Sequence, residues 1–381
     1  MSNDTQKDMP SYIKYFYIVG SISLTCFILI KINFFVGPLL AAAIIAILLT
    51  QPTAKIEKLG IPRILSTAIS VFLFLIGILL LIIFITVQLG FIATNPGLSV
   101  ESISKMISQV QNQASNWSGI HIEKLSITNQ SINNFLKSLT DYFPEALLGT
   151  ASFITMFILF LVSLFFFLYY RSFFLSFIYK LFERKKHDQV QETLQKISEA
   201  VKNYIVGLFI VIFIVALLNS VGLLFLGISH AIFFGVVTAI LTIIPYIGIM
   251  LGAVIVAFYA LITSDSLWYP TGVLLIFSFV QFLEGNFITP NVIGSKVNIN
   301  PYIAILGLFI GGILLGAVGA ILAIPLLGII KIICDVFQKL KPLSYIMGNP
   351  RKESASIQQT FFYLWLRGRL QIIKKFFSRK K

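Results

Sequence analysis

Gln281, Glu284 and Asn286 stand within six residues of one another in the otherwise apolar run QFLEGNF. Helical spacing puts Gln281 one turn from Glu284 on the same face, with Asn286 close behind. A carboxylate inside hydrocarbon costs at least ~2.5 kcal/mol, so it is expected to face a polar interior and to have partners. Such a group can carry a proton, hold a cation or contact a polar solute. At the end of a helix the same carboxylate caps the break at Gly285, and the residues alone leave both readings open. Asn219 and Gln88 are further polar residues in apolar runs, each able to bind a ligand or to join two helices.

The elements that must position these groups are membrane helices. The chain has 381 residues, of which 57% are hydrophobic and 12% charged, and Phe occurs 36 times. Mean hydropathy is +0.91. Several runs exceed the ~20 apolar residues needed to cross a ~30 Å hydrocarbon core. Alternating strands of the porin kind are absent, so the expected fold is all-α, with about eight transmembrane helices, some of them broken or re-entrant. The net charge of +14 sits mainly in loops beside the apolar runs, which marks topology and argues against a nucleic-acid partner. Cys26 and Cys334 read as small apolar fillers, not a disulfide.

Residues 1–93 read as three helices: a retained span from Tyr15 to Ile30, one from Phe34 to Thr50 closed at Gln51-Pro52, and one from Ile64 to Ala93. Lys55, Lys58 and Arg63 place the intervening loop in the cytoplasm. Residues 94–146 form a polar extracytoplasmic segment, with Ile103, Met106, Ile107 and Val110 at helical spacing. Residues 147–203 supply a fourth span, Leu147 to Tyr170, and a basic interfacial helix. Residues 204–335 form a Gly/Pro-rich core with spans at Tyr204–Leu226, Ala231–Thr263, Leu267–Ile288 and Pro301–Cys334. Pro245 and Gly248, in IPYIG, are expected to interrupt the second of these. Residues 336–381 form a cytoplasmic tail. There Phe362, Leu366, Leu370, Ile373 and Phe377 make one apolar stripe, with Arg367 and Lys374 off it, suited to a bilayer face bearing anionic headgroups. Both termini are then cytoplasmic.

Two features of the core bear on movement. The segment 285–301 holds Gly285, Pro290, Gly294 and Pro301 among four asparagines. Non-helical backbone of this kind is tolerated only where it is buried in protein, lines a wet cavity or lies outside the membrane. It is an external loop or a hinged binding loop. The last span carries Gly307, Gly311, Gly312, Gly316 and Gly319, small residues that let helix backbones approach closely, within the chain or in a homo-oligomer.

Hydrolytic and metal chemistry find no pattern. HExxH, GxSxG and Cys/His clusters are absent, and His121, His187 and His230 fall in loops or at span ends. No enzyme activity, cofactor or metal is expected, and no phosphate-binding loop is present.

Three stretches are similar to the autoinducer-2 exporter family of PerM-like bacterial permeases. They are KNYIVG leading into the helices around IPYIG, then EGNFITPNVIGSKVNINP through Glu284, Gly285, Pro290, Gly294 and Pro301. The third is GGILLGAVGAILAIP, through Gly312, Gly316, Gly319, Ala320, Ala323 and Pro325. The likeness is specific over residues 200–335, with Leu208 standing where the family commonly has glutamine. The resemblance implies an oligomeric inner-membrane permease whose substrate is a small molecule such as autoinducer-2, or a cation exchanged for protons. A non-transporting membrane scaffold is the reading from another class.

Overall fold

A computed structural model describes residues 11–93, 151–244, 247–264, 266–293 and 299–348. Among them every regular element is helical, and the elements follow in the order α1 (Ser11–Lys31), α2 (Asn33–Glu57), α3 (Arg63–Ala93), α4 (Ala151–Tyr169), α5 (Arg171–Lys180), α6 (His187–Phe225), α7 (Ala231–Leu241), α8 (Ile247–Thr263), α9 (Trp268–Leu283), α10 (Thr289–Val292), α11 (Pro301–Val336) and α12 (Lys341–Met347). Six runs among the described residues are long and apolar enough to cross a bilayer: α2, α3, α4, α6, Trp268–Val292 and α11. With the shorter apolar helices α1, α7 and α8, they make a polytopic all-α membrane protein. The polar segment 94–146 and the basic stripe of the tail lie outside the described residues.

The spine is α6, a single helix of 39 residues, ~58 Å long. It runs unbroken through position 204, so the basic stretch from His187 onward and the following apolar span form one rod. Val201, Tyr204 and Ile205 bury against Ile44 of α2 and Leu322 of α11. Higher up, Val211 and Val215 meet Ala239 of α7 and Val280 of α9. A second bundle joins α2 to α3 and α4 through Ala42, Ala46, Leu164 and Leu168. Outward faces remain apolar, as with Phe16, Phe72 and Phe213, which suits contact with lipid tails.

Several boundaries differ from the sequence expectation. α2 does not close at Pro52 but continues to Glu57, with Pro38 and Pro52 inside it. Thr50 and Thr53 hydroxyls donate to the Ala46 and Leu49 carbonyls at 2.7 and 2.8 Å, bracing the turns on either side of Pro52. The segment after Glu284 is helical to Val292, so the break among the described residues is confined to the approach to Pro301.

The third correction concerns Pro301–Cys334, expected as one crossing. Gly316 has φ 65° and ψ −153°, a non-helical conformation that side-chain-bearing residues rarely adopt. A Cβ on Gly319 would lie 2.1 Å from the Gly311 carbonyl oxygen, and one on Gly307 would lie 2.4 Å from Leu327 Cδ1. Residues 307 and 327 would be ~30 Å apart along a straight helix. The two halves of α11 therefore double back on each other, closed at Gly316.

The expected span Ala231–Thr263 also doubles back. α7 has 11 residues, ~16 Å, too few to cross. A Cβ on Gly248 would come 1.8 Å from the Leu241 carbonyl oxygen, and one on Gly252 would come 2.2 Å from Thr238 Cγ2. Phe234 and Tyr259 rings meet at 4.6 Å. α7 and α8 are thus an antiparallel hairpin. Among the described residues these two hairpins are the broken or re-entrant helices that the sequence allowed.

Candidate functional site

α9 does not stop at Glu284. It widens into a π-helical turn, Glu284–Ile288, and continues as α10. Pro290 supplies the cause: it has no N–H for the Asn286 carbonyl, and its ring crowds that oxygen. The Thr289 amide instead bonds to the Glu284 carbonyl, five residues back. Turns of this kind recur at functional positions.

The half-buried Glu284 carboxylate pins that turn. Its Oε2 accepts from Gln281 Nε2 at 2.8 Å, and its Oε1 accepts from the Thr289 hydroxyl. Gln281 and Glu284 are together as their spacing indicated. Asn286 is exposed and donates from Nδ2 to the Phe282 carbonyl at 2.9 Å, away from the carboxylate. Thr289 was missed because an i+5 partner belongs to no α-helical face. Gly285 is exposed, and a Cβ there would meet only Gln281 Nε2, at 3.9 Å, so close packing does not require a glycine. Pro301 opens α11 at its first position, and the Asn300 side chain accepts from the Tyr302 amide at 2.9 Å as the cap. Pro245 and Gly294 lie outside the described residues.

Asn219 is the most unusual polar group in the core. It is fully buried, and among the described residues neither its Oδ1 nor its Nδ2 has a hydrogen-bond partner. Burying an unpaired amide costs ~1–3 kcal/mol by mutational measures. Its stretch of α6 is tightly seated. A Cβ on Gly235 of α7 would lie 2.2 Å from Ser220 Oγ, and one on Gly222 would lie 2.6 Å from Ile276 Cγ2 of α9. The amide thus sits where α6 meets both the first hairpin and the helix carrying Glu284.

The glycines of α11 act within the chain. Gly311 and Gly319 face each other across the fold-back, Gly307 receives Leu327, and Gly316 makes the turn. Gly312 is looser, since a Cβ there would stand 3.8 Å from Ala320 Cβ. Their expected role in close helix packing therefore applies to the two halves of one hairpin. Among the described residues no group of three His, Cys, Asp or Glu is placed to hold a metal. His230 has a left-handed backbone ahead of α7, and His187 opens α6 with its ring nitrogen 3.0 Å from the Tyr179 carbonyl. His121 lies outside the described residues.

Comparison with known proteins gives the same class. The chain is 28% identical to YueF of Bacillus subtilis over 314 residues, 77% of this chain and 82% of that one. It is 24% identical to YrrI of the same organism over 320 residues, covering 80% and 87%. Both carry the name of a transport protein. PerM of Escherichia coli, named as a permease, is 26% identical over 316 residues, covering 79% and 87%. The family model described as AI-2E family transporter matches residues 17–339, so the chain belongs to the AI-2E transporter family.

Proposed function

We propose that this protein is a secondary transporter of the bacterial inner membrane that exports a small polar molecule of the autoinducer-2 kind, driven by an ion gradient. The observation that carries the proposal is Asn219, an amide with an unused donor and an unused acceptor, buried where α6, the α7–α8 hairpin and α9 converge. A hydroxyl-rich solute complements both atoms at once. Two hairpins whose tips interrupt the helical ladder support the same reading, because non-helical backbone at membrane depth belongs beside a polar path. The termini are assigned to the cytoplasm from the basic residues between α2 and α3 and after α4.

Sodium/proton antiport is the second reading within transport, and it makes Glu284 indispensable. The Glu284 oxygens are both engaged along their own helix, which favours a role in holding the π-turn. The test uses purified protein in sealed vesicles, with efflux of a labelled furanone-type signal and sodium-dependent dissipation of a pH gradient recorded side by side. The wild type is expected to release the signal, Asn219→Leu to lose most of that flux, and Glu284→Gln to retain part of it. Antiport abolished by Glu284→Gln would establish the second reading. A wild-type protein silent in both assays would leave only the scaffold.

A further inference from the structure

A cleft holding a single cation, Arg63, lies apart from Asn219 and Glu284, where the α2–α3 loop meets the joint between α4 and α5. Its volume is about 440 Å³, and its walls are Pro62, Arg63, Ile64, Tyr169, Tyr170 and Phe173. The Arg63 guanidinium stands over the Tyr169 ring, 5.9 Å from its centroid. The aromatic face holds the guanidinium plane. Arg63 Nε and Nη2 are shielded and have no hydrogen-bond partner among the described residues. Those two N–H groups form the side-on fork that matches two oxygens of a phosphate or carboxylate.

Among the described residues no carboxylate is paired with Arg63, though Glu57 Oε1 is shielded and unpartnered at this end of α2. Glu57, the acidic residue at this end of α2, is bound by Arg171 through Nη2. None of the ion pairs among the described residues includes Arg63. Lys55 and Lys58 are on the same turn and loop, so cations exceed the one carboxylate. Burial without a partner is costly for a charged donor, and an anion relieves that cost.

The surroundings identify the anion's source. Ile64, Leu65, Phe173 and Phe177 are exposed, at 52%, 54%, 66% and 54%, so apolar surface continues from the cleft along α3 and α5. A lone phosphate ion has no use for that surface, whereas acyl chains do. We propose that Arg63 binds the phosphate of an anionic phospholipid headgroup, with the acyl chains lying on α3 and α5. Basic pockets between membrane helices take such headgroups.

The test measures retention of phosphatidylglycerol against phosphatidylcholine on the purified full chain by native mass spectrometry. Thermal stability with inorganic phosphate alone is followed in parallel. Wild type is expected to retain phosphatidylglycerol preferentially, and Arg63→Gln to weaken that retention roughly tenfold or more. Arg63→Lys, which keeps the charge without the fork, should fall between them. Lys339→Gln, on an exposed basic turn elsewhere, should match wild type. Stabilisation by inorganic phosphate that Arg63→Gln removes, without preferential lipid retention, would overturn the lipid assignment in favour of the free ion. If Arg63→Gln fails to fold, Phe173→Trp fills the cleft with the guanidinium intact and is expected to reduce retention. Equal retention by wild type and by whichever of Arg63→Gln and Phe173→Trp folds would overturn the proposal.

Discussion

Both fold-back hairpins use glycine to bring their arms together, but only α11 also uses one as its turn. In α7–α8 the glycines make space: Gly248 and Gly252 bring one helix onto the backbone and Thr238 of the other, and Gly235 lets the pair sit against Ser220 of α6. Its residues Phe233, Phe234, Thr238, Ala239, Val256 and Ala260 are buried. In α11 the turn itself is a glycine, Gly316, with nothing within 4 Å of a Cβ position but a backbone that disfavours any side chain. Much of that hairpin's outer surface is open, Ile313 being 67% exposed. Each hairpin keeps an exposed outer face, Met250 being 69% exposed in the first, but only the second depends on one dihedral pair at its turn.

Substitutions sharpen this contrast in a definite order. Gly248→Ala is expected to do most damage, about 3 kcal/mol or more, because its methyl meets a carbonyl and not a yielding side chain. The measurement is thermal unfolding of the purified protein, and a loss below about 1 kcal/mol, on the order of surface substitutions, would break the account of the first hairpin. Gly316→Ala should cost about 1–3 kcal/mol from backbone strain alone. Restoring that loss with a D-alanine at 316 in a semisynthetic chain would show that the dihedral, not the space, is at issue. Asn219→Leu removes the unpaired amide and keeps the number of side-chain heavy atoms, so stability should hold or rise by about 1 kcal/mol while signal efflux falls. Falling stability together with falling efflux would make Asn219 a structural residue of the first hairpin's seat. Gly312→Ala should change stability by less than about 0.5 kcal/mol, since its neighbour stands at ordinary contact distance.

The sequence made the class of molecule legible, because long apolar runs with basic loops have few other solutions. The pairing of Gln281 with Glu284 was legible for the same reason that any i, i+3 pair is. What escaped were features that break the α-helical period. The Thr289 contact needs the wider π-turn, and the fold-back of α11 hides inside a run with no polar residue at its turn, where Gly316 looks like one more packing glycine. Length misled as well: 36 residues suit one tilted crossing, and only the meeting of Gly307 with Leu327 shows two passes. Arg63 read as a topology signal, since a loop cation gives no hint in sequence that its fork is shielded and unpaired.

The distance between the ends of α11 tests the hairpin architecture most directly. Spin labels placed by Tyr302→Cys and Ile333→Cys, with Cys26 and Cys334 replaced by alanine, report it by electron–electron resonance in vesicles. Both positions are exposed. Packed helices lie ~8–10 Å apart, so the fold-back predicts a separation below roughly 25 Å once label arms are included. An unbroken helix would hold the labels ~46 Å apart, and a distribution centred there would contradict the doubled-back core on which the proposed transport path rests.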